Sequence, residues 1–171
     1  MKNTTTLLVI DPATPDNAIH DLAESASEQQ IHLSVQIIAP APALPMYAYG
    51  VPPYGGMNIP DDWAETVKSA QNALSDRVNE IENVLARSNA SADIQSALCA
   101  TTDSRDIVAR RARVCDMGHI ASNLRDTPEA MREMAHGRLF RSPIGLMLNA
   151  PPSQTPDSVV IAWNSSEAAS K

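Results

Sequence analysis

The sequence predicts a three-layer α/β/α fold around a five-stranded, mostly parallel sheet, and three observations carry that prediction. The first is Leu7-Leu8-Val9-Ile10-Asp11, four consecutive apolar residues closed by a carboxylate and followed at once by the helix start Thr14-Pro15-Asp16. Such a run reads as a strand buried on both faces, at the middle of a sheet, that hands over to a helix. The second is the alternation of strand-like and helix-like segments along the whole chain, which implies right-handed crossovers with helices on both faces of the sheet. The third is size: 171 residues with 43% hydrophobic content can bury one good core, and two complete domains would be crowded.

Each segment follows in order. From Pro15 to Gln29, apolar residues at Ala18, Ile19, Leu22, Ala23 and Ala26 leave one stripe for the sheet and an acidic outer face. Ile31 to Ile38 is the second strand, on which His32 is expected to face solvent. Residues 39–60 are rich in Pro, Gly, Tyr and Met, which removes backbone donors and weakens regular structure, so a long loop is expected. Its Tyr47, Tyr49 and Tyr54 could cover a ligand crevice, a partner surface or the domain's own edge. A helix from Asp61 to Arg87 carries Trp63, Val67, Ala70, Ala73, Leu74, Val78, Ile81 and Leu85 at helical spacing, a stripe expected in the core.

Ala92 to Cys99 alternates polar and apolar residues, as a third strand does. Thr102 or Asp103 is expected to cap a helix from Ser104 to Arg113 with Ile107, Val108 and Ala112 inward. Cys115 to Ala121 is the fourth strand, and residues 122–126 form a loop. Thr127-Pro128-Glu129 starts the next helix, with Thr as N-cap and Pro at the first helical position. Ser142 to Leu148 supplies the fifth strand. Residues 150–157 are a linker by composition, and Val159-Val160-Ile161-Ala162-Trp163-Asn164 then repeats the opening pattern, with Asn164 where Asp11 stood. The expected organisation is a domain over 1–149, a linker over 150–157, and over 158–171 the first strand and helix start of a truncated second repeat.

Several function classes are disfavoured. A formal net charge of −7 leaves no basic face to meet nucleic acid, and the cluster Arg110, Arg111 and Arg113 reads as a solvated helix face. No segment approaches the ~20 apolar residues of a membrane helix, and the amino terminus lacks the apolar stretch of a signal peptide, so a cytoplasmic protein is expected. Cys99 and Cys115 have no metal-ligand spacing and read as buried reduced thiols. His119 reads as a packed strand histidine and His136 as part of a solvated face. Asp11 has two readings: a polar residue at the end of a central strand faces the ligand crevice of doubly wound folds, or it caps the helix near residues 14–16.

The opening LLVID, the strand HLSVQII before a variable loop and long helix, the strand ADIQSALC before DIVARRA, and the closing RLFRSPIGLML together resemble the universal stress protein family. The tail SVVIAWNSSEAA resembles the opening of a second repeat, as in tandem members. The resemblance implies an adenine nucleotide alpha hydrolase-like fold, a cytoplasmic role in stress survival, and a homodimer through the last strand. Val159 to Trp163 is too apolar to remain exposed, so the 158–163 strand is expected to dock on another copy or a sheet edge. The resemblance also implies a nucleotide site made of Asp11 and Pro12 after the first strand, Ile38 after the second, and Ala121, Ser122 and Asn123 after the fourth.

Many members bind ATP through G-x-x-G, nine residues, then G-S or G-T, whose glycines let backbone amides approach the phosphates. In this chain Ala121 and Leu124 stand at the first two glycine positions, and Ala130-Met131 at the Gly-Ser position. The leading expectation is therefore a non-enzymatic scaffold or partner-binding module with a degenerate ATP site and no cofactor. The alternative is an adenine-nucleotide sensor that takes adenosine or AMP in an Asp11/Ile38 pocket.

Overall fold

A computed structural model describes residues 4–44, 59–142 and 144–147. The elements run β1 (Thr5–Ile10), α1 (Asp16–Glu28), β2 (His32–Pro40), α2 (Trp63–Arg87), β3 (Ala92–Cys99), α3 (Thr101–Ala112), β4 (Met117–Ile120), a 3-10 segment (Ser122–Asp126), α4 (Pro128–Arg141) and β5 (Gly145–Met147). All five strands are parallel, in the order β3-β2-β1-β4-β5. Helices α1 and α2 pack against each other, as do α3 and α4, which gives the two outer layers.

β1 lies between β2 and β4, with Leu8 opposite both Val35 and His119. Leu7, Leu8, Val9 and Ile10 are each 0% exposed, as an unbroken apolar run between two helical layers requires. Burying each of these side chains contributes about 1.5–3 kcal/mol, so this strand alone anchors much of the core. From α1 the core takes Ile19, Ala23 and Ala26, three of the five residues of the expected stripe. Gln30 and Asn89, with φ of 55° and 50°, end α1 and α2 in the left-handed turn that stops a helix.

Where α3 meets α4 the packing is close enough to select glycine. A Cβ on Gly137 would collide with the carbonyl of Arg105, so the two helices meet backbone to backbone there.

Several expectations are corrected. α3 starts at Thr101, not Ser104, so neither Thr102 nor Asp103 is its cap. The cap position is Ala100, in extended conformation, and the first turn closes through Asp103 N–H donating to the Ala100 carbonyl at 2.9 Å. Residues 122–126 coil into a 3-10 segment rather than a loop, because Leu124 must fold back into the core. Thr127 holds the N-cap position of α4 with Pro128 at its start, yet its side chain makes no capping bond.

The α2 stripe is core only in its second half. Leu74, Ile81 and Leu85 are buried together with Val84, whereas Trp63, Val67 and Ala70 are half-buried and Ala73 is exposed. The C-terminal half of α2 lies over the sheet, and among the described residues nothing covers the first turns to the same depth. The tyrosines and methionines between 45 and 58, the linker and the expected second-repeat strand lie outside the described residues.

Candidate functional site

In an open parallel sheet the ligand crevice lies beyond the carboxyl ends of the strands, where the order reverses. Here the reversal falls between β1, which is followed by α1 and β2 on one side, and β4 on the other. The residues that leave these two strands are Asp11 and Ala121, both expected in the site.

Asp11 is fixed by a local turn and one long-range contact. Thr14 N–H donates to the Asp11 carbonyl at 3.1 Å, and Asp11 N–H donates to Thr14 Oγ1 at 3.1 Å. The Thr14 hydroxyl lies 2.8 Å from Asp11 Oδ1, to which it donates, and 3.1 Å from Asn123 Oδ1. Asn123 Nδ2 donates to the same Asp11 Oδ1 at 2.8 Å, across 112 residues of sequence. The helix-capping reading of Asp11 is thereby overturned: the cap of α1 is Pro15, and no side chain caps it. The carboxylate instead ties the exit of β1 to the exit of β4.

A second clamp comes from α2. Arg77, only 15% exposed, donates Nη2 to the Thr14 carbonyl at 2.7 Å and pairs with Asp16 at 2.8 Å and Glu80 at 2.7 Å. Burial is the largest single influence on its guanidinium and lowers its pKa, but the bonds to Glu80 and Asp16 together outweigh it and raise the value.

Beside Asp11 lies a cavity of about 130 Å³. Ile38, Pro40, Leu124, Ala130 and Met134 form its apolar side, and Cys99, Thr101, Ser104 and Thr127 join Asp11 on its polar side. Ser104 is fully buried and turns its hydroxyl back to the Thr101 carbonyl at 2.5 Å. Burial, and behind it the negative charge of Asp103, holds the Cys99 thiol above its ordinary range, so it is a neutral wall element.

Of the six residues expected in a nucleotide site, Asp11 and Ile38 line this cavity and Asn123 is bonded to Asp11. Ala121 is buried, with its N–H donated to the Val9 carbonyl at 2.9 Å. Pro12 and the exposed Ser122 do not line the cavity.

Where the resemblance would place a phosphate loop, three further amides donate to the protein's own carbonyls. Leu124 N–H donates to Ala121 O at 3.2 Å, Thr127 N–H to Leu124 O at 3.1 Å, and Met131 N–H to Thr127 O at 3.0 Å. The Leu124 side chain is 1% exposed and forms part of the cavity wall.

Sequence reasoning missed Thr14, Arg77, Cys99 and Met134. Thr14 had a signal, a hydroxyl residue between two prolines beside a strand end, and Cys99 ends a parallel strand as Asp11 does. Arg77 had none, because its target lies 63 residues away. Among the described residues no group of three or more His, Cys, Asp or Glu could hold a metal ion, and no helix is long and apolar enough to cross a membrane.

No protein-family model matches the sequence, and no curated protein matches it. Solved structures do match the fold. A protein from the universal stress protein family of Burkholderia pseudomallei aligns at 14% identity over 84% of this chain and 95% of its own, with a TM-score of 0.55. A universal stress protein solved in complex with cAMP gives 11% identity over 85% and 94%, with a TM-score of 0.47. One from Archaeoglobus fulgidus gives 13% identity over 84% and 91%, with a TM-score of 0.42. The five-stranded parallel sheet and the Burkholderia match together show that this chain has the universal stress protein-like, adenine nucleotide alpha hydrolase-like fold.

Proposed function

We propose that this chain is a non-enzymatic universal stress protein domain that acts in the cytoplasm as a dimerising scaffold or partner-binding module, its ATP site closed. The observation that carries the reading is the state of the 121–131 backbone. Phosphate cradles need bare backbone with free N–H groups. Here a buried leucine side chain sits at the second glycine position, and the amides of residues 121, 124, 127 and 131 already serve the protein's own carbonyls.

In this reading the domain spans 1–149, and the segment from 158 begins a second repeat that docks on another copy or a sheet edge. Calorimetric titration of the 171-residue chain with ATP is expected to show no saturable heat at micromolar concentrations; micromolar binding would overturn the proposal. Light scattering after size exclusion is expected to give twice the chain mass, and a monomer at high concentration would remove the dimer.

A second reading is favoured by one feature, the cavity at the strand ends lined by Asp11 and Ile38. In it the pocket is a sensor for a small adenine compound such as adenosine or AMP. A thermal-shift series with adenine compounds tests it, and an unmoved melting point across the series would rule it out.

A further inference from the structure

We infer that two copies of this chain associate through the outer edge of β3, which pairs antiparallel with itself about a two-fold axis at Gln95 and makes one sheet continuous across both copies. The inference rests on the reading above that the chain dimerises, and deepens it by naming the contact, at the sheet edge opposite the last strand.

The edge comes first. β3 ends the strand order and, among the described residues, pairs only with β2. The Ser91 carbonyl accepts Leu33 N–H at 2.8 Å, and the Cys99 carbonyl accepts Ala41 N–H at 2.9 Å. Backbone groups along a parallel strand alternate between its two sides, so Ser91, Asp93, Gln95, Ala97 and Cys99 turn theirs to β2. Ala92, Ile94, Ser96 and Leu98 turn theirs away from the sheet. Proteins blunt such edges with lysine, proline, bulges or very short strands. β3 has none of these over its 8 residues, and its register with β2 is unbroken from Ala92 to Cys99. Its one charge, Asp93, is already engaged by Arg111 and His32.

The occupant comes second, and charge decides it. Two copies, each with a formal net charge of −7, repel at long range, so they need a contact strip free of unpaired carboxylates. The β3 edge is such a strip. Antiparallel pairing through its outward-facing residues sets Ala92 opposite Leu98 and Ile94 opposite Ser96, with Gln95 opposite the Gln95 of the second copy. Asp93 then stands opposite Ala97, and no like charges meet. Gln95 is exposed, and its amide carries both donors and an acceptor, so two of them can bond each other. On the other face, Ser96 and Leu98 line a cleft with Gln71, Leu74, Ser75 and Val78 of α2, none of them charged. A two-fold axis normal to the sheet brings the cleft of one copy beside the cleft of the other, the self-complementary arrangement of a symmetric dimer.

Analytical ultracentrifugation and amide exchange on the full chain test this. Gln95→Lys and Gln95→Glu each place like charges at backbone positions about 4.5 Å apart across the axis. Each alone is expected to weaken self-association at least tenfold, and an equimolar mixture of the two variants is expected to restore it. Amide exchange at Ile94 and Ser96 is expected to slow as the concentration of the unsubstituted chain rises. A dimer that tolerates both substitutions would overturn the β3 contact while leaving the dimerising scaffold in place. A monomer at high concentration would sink both. Slow exchange at Ile94 and Ser96 that does not vary with concentration would show the edge filled by a segment of the same chain, such as 159–163, and would overturn the pairing of copies.

Discussion

The two ends of the sheet carry polar clusters made of similar residues, and they differ in what the fold does with them. At the carboxyl end, Asp11, Thr14 and Asn123 share bonds of 2.8–3.1 Å, Thr14 is buried, and the cluster borders a cavity. At the amino end, His32 bridges Ser91 Oγ at 2.9 Å and Asp93 Oδ1 at 3.1 Å, and Asp93 also pairs with Arg111. The His32 and Asp93 side chains are 38% and 43% exposed, and the cleft beside them is open. Residue type alone therefore does not mark a site. The carboxyl end has a cavity, and it lies where the chain reverses strand order, so that the connections leaving β1 and β4 run to different helical layers and leave a crevice between them.

The difference can be broken or sharpened by substitution, taken here from the largest effect downward. Leu124→Ala removes a fully buried side chain at the carboxyl end and is expected to cost about 2–5 kcal/mol, read as a lower midpoint in urea unfolding. Arg77→Ala removes charge-assisted bonds to Asp16 and Glu80 and the bond to the Thr14 carbonyl. It is expected to cost about 1.5–3 kcal/mol, and faster amide exchange at residues 11–14 would show that the clamp reaches Asp11.

Thr14→Val keeps the shape but leaves Asp11 N–H without its acceptor, for an expected loss of about 1–3 kcal/mol. Cys99 offers a pH test of the cavity wall. Its raised thiol pKa keeps the protonated form, so alkylation by iodoacetamide at about pH 8.5, the ordinary thiol value, is expected to be slower than for a free thiol and to accelerate at higher pH. An unfolded-like rate at that pH would mean the wall is open.

Asp93→Asn at the amino end is expected to change stability by less than about 1 kcal/mol, with the effect shrinking as salt rises, because exposed ion pairs are screened. A loss as large as that of Thr14→Val would erase the contrast between the two ends.

Much of the fold was legible in the chain itself. Four apolar residues in a row at 7–10 can be satisfied only between two layers, and the stripe Ile19, Ala23 and Ala26 can face only one way. The same local logic failed where tertiary packing chose among equal options. Threonines at 101 and 102 and Asp103 all resemble helix starts, and the choice fell on Ala100 as the boundary because β3 already ends at Cys99. The α2 stripe is continuous in sequence but covered only in its second half, since the extent of the sheet beneath it is a property of other segments.

What the sequence determined by itself is which faces are apolar, where strands end in polar residues, and that no glycines stand at 121, 124 or 130. Periodicity and residue identity are local quantities, and they need no partner to be read. Only the tertiary structure decided that Asn123 meets Asp11, that Arg77 holds Thr14, and that His32 and Arg111 converge on Asp93. Those contacts join residues far apart along the chain, and strand order, which no single segment encodes, sets the distances at which their charges and hydrogen bonds can act.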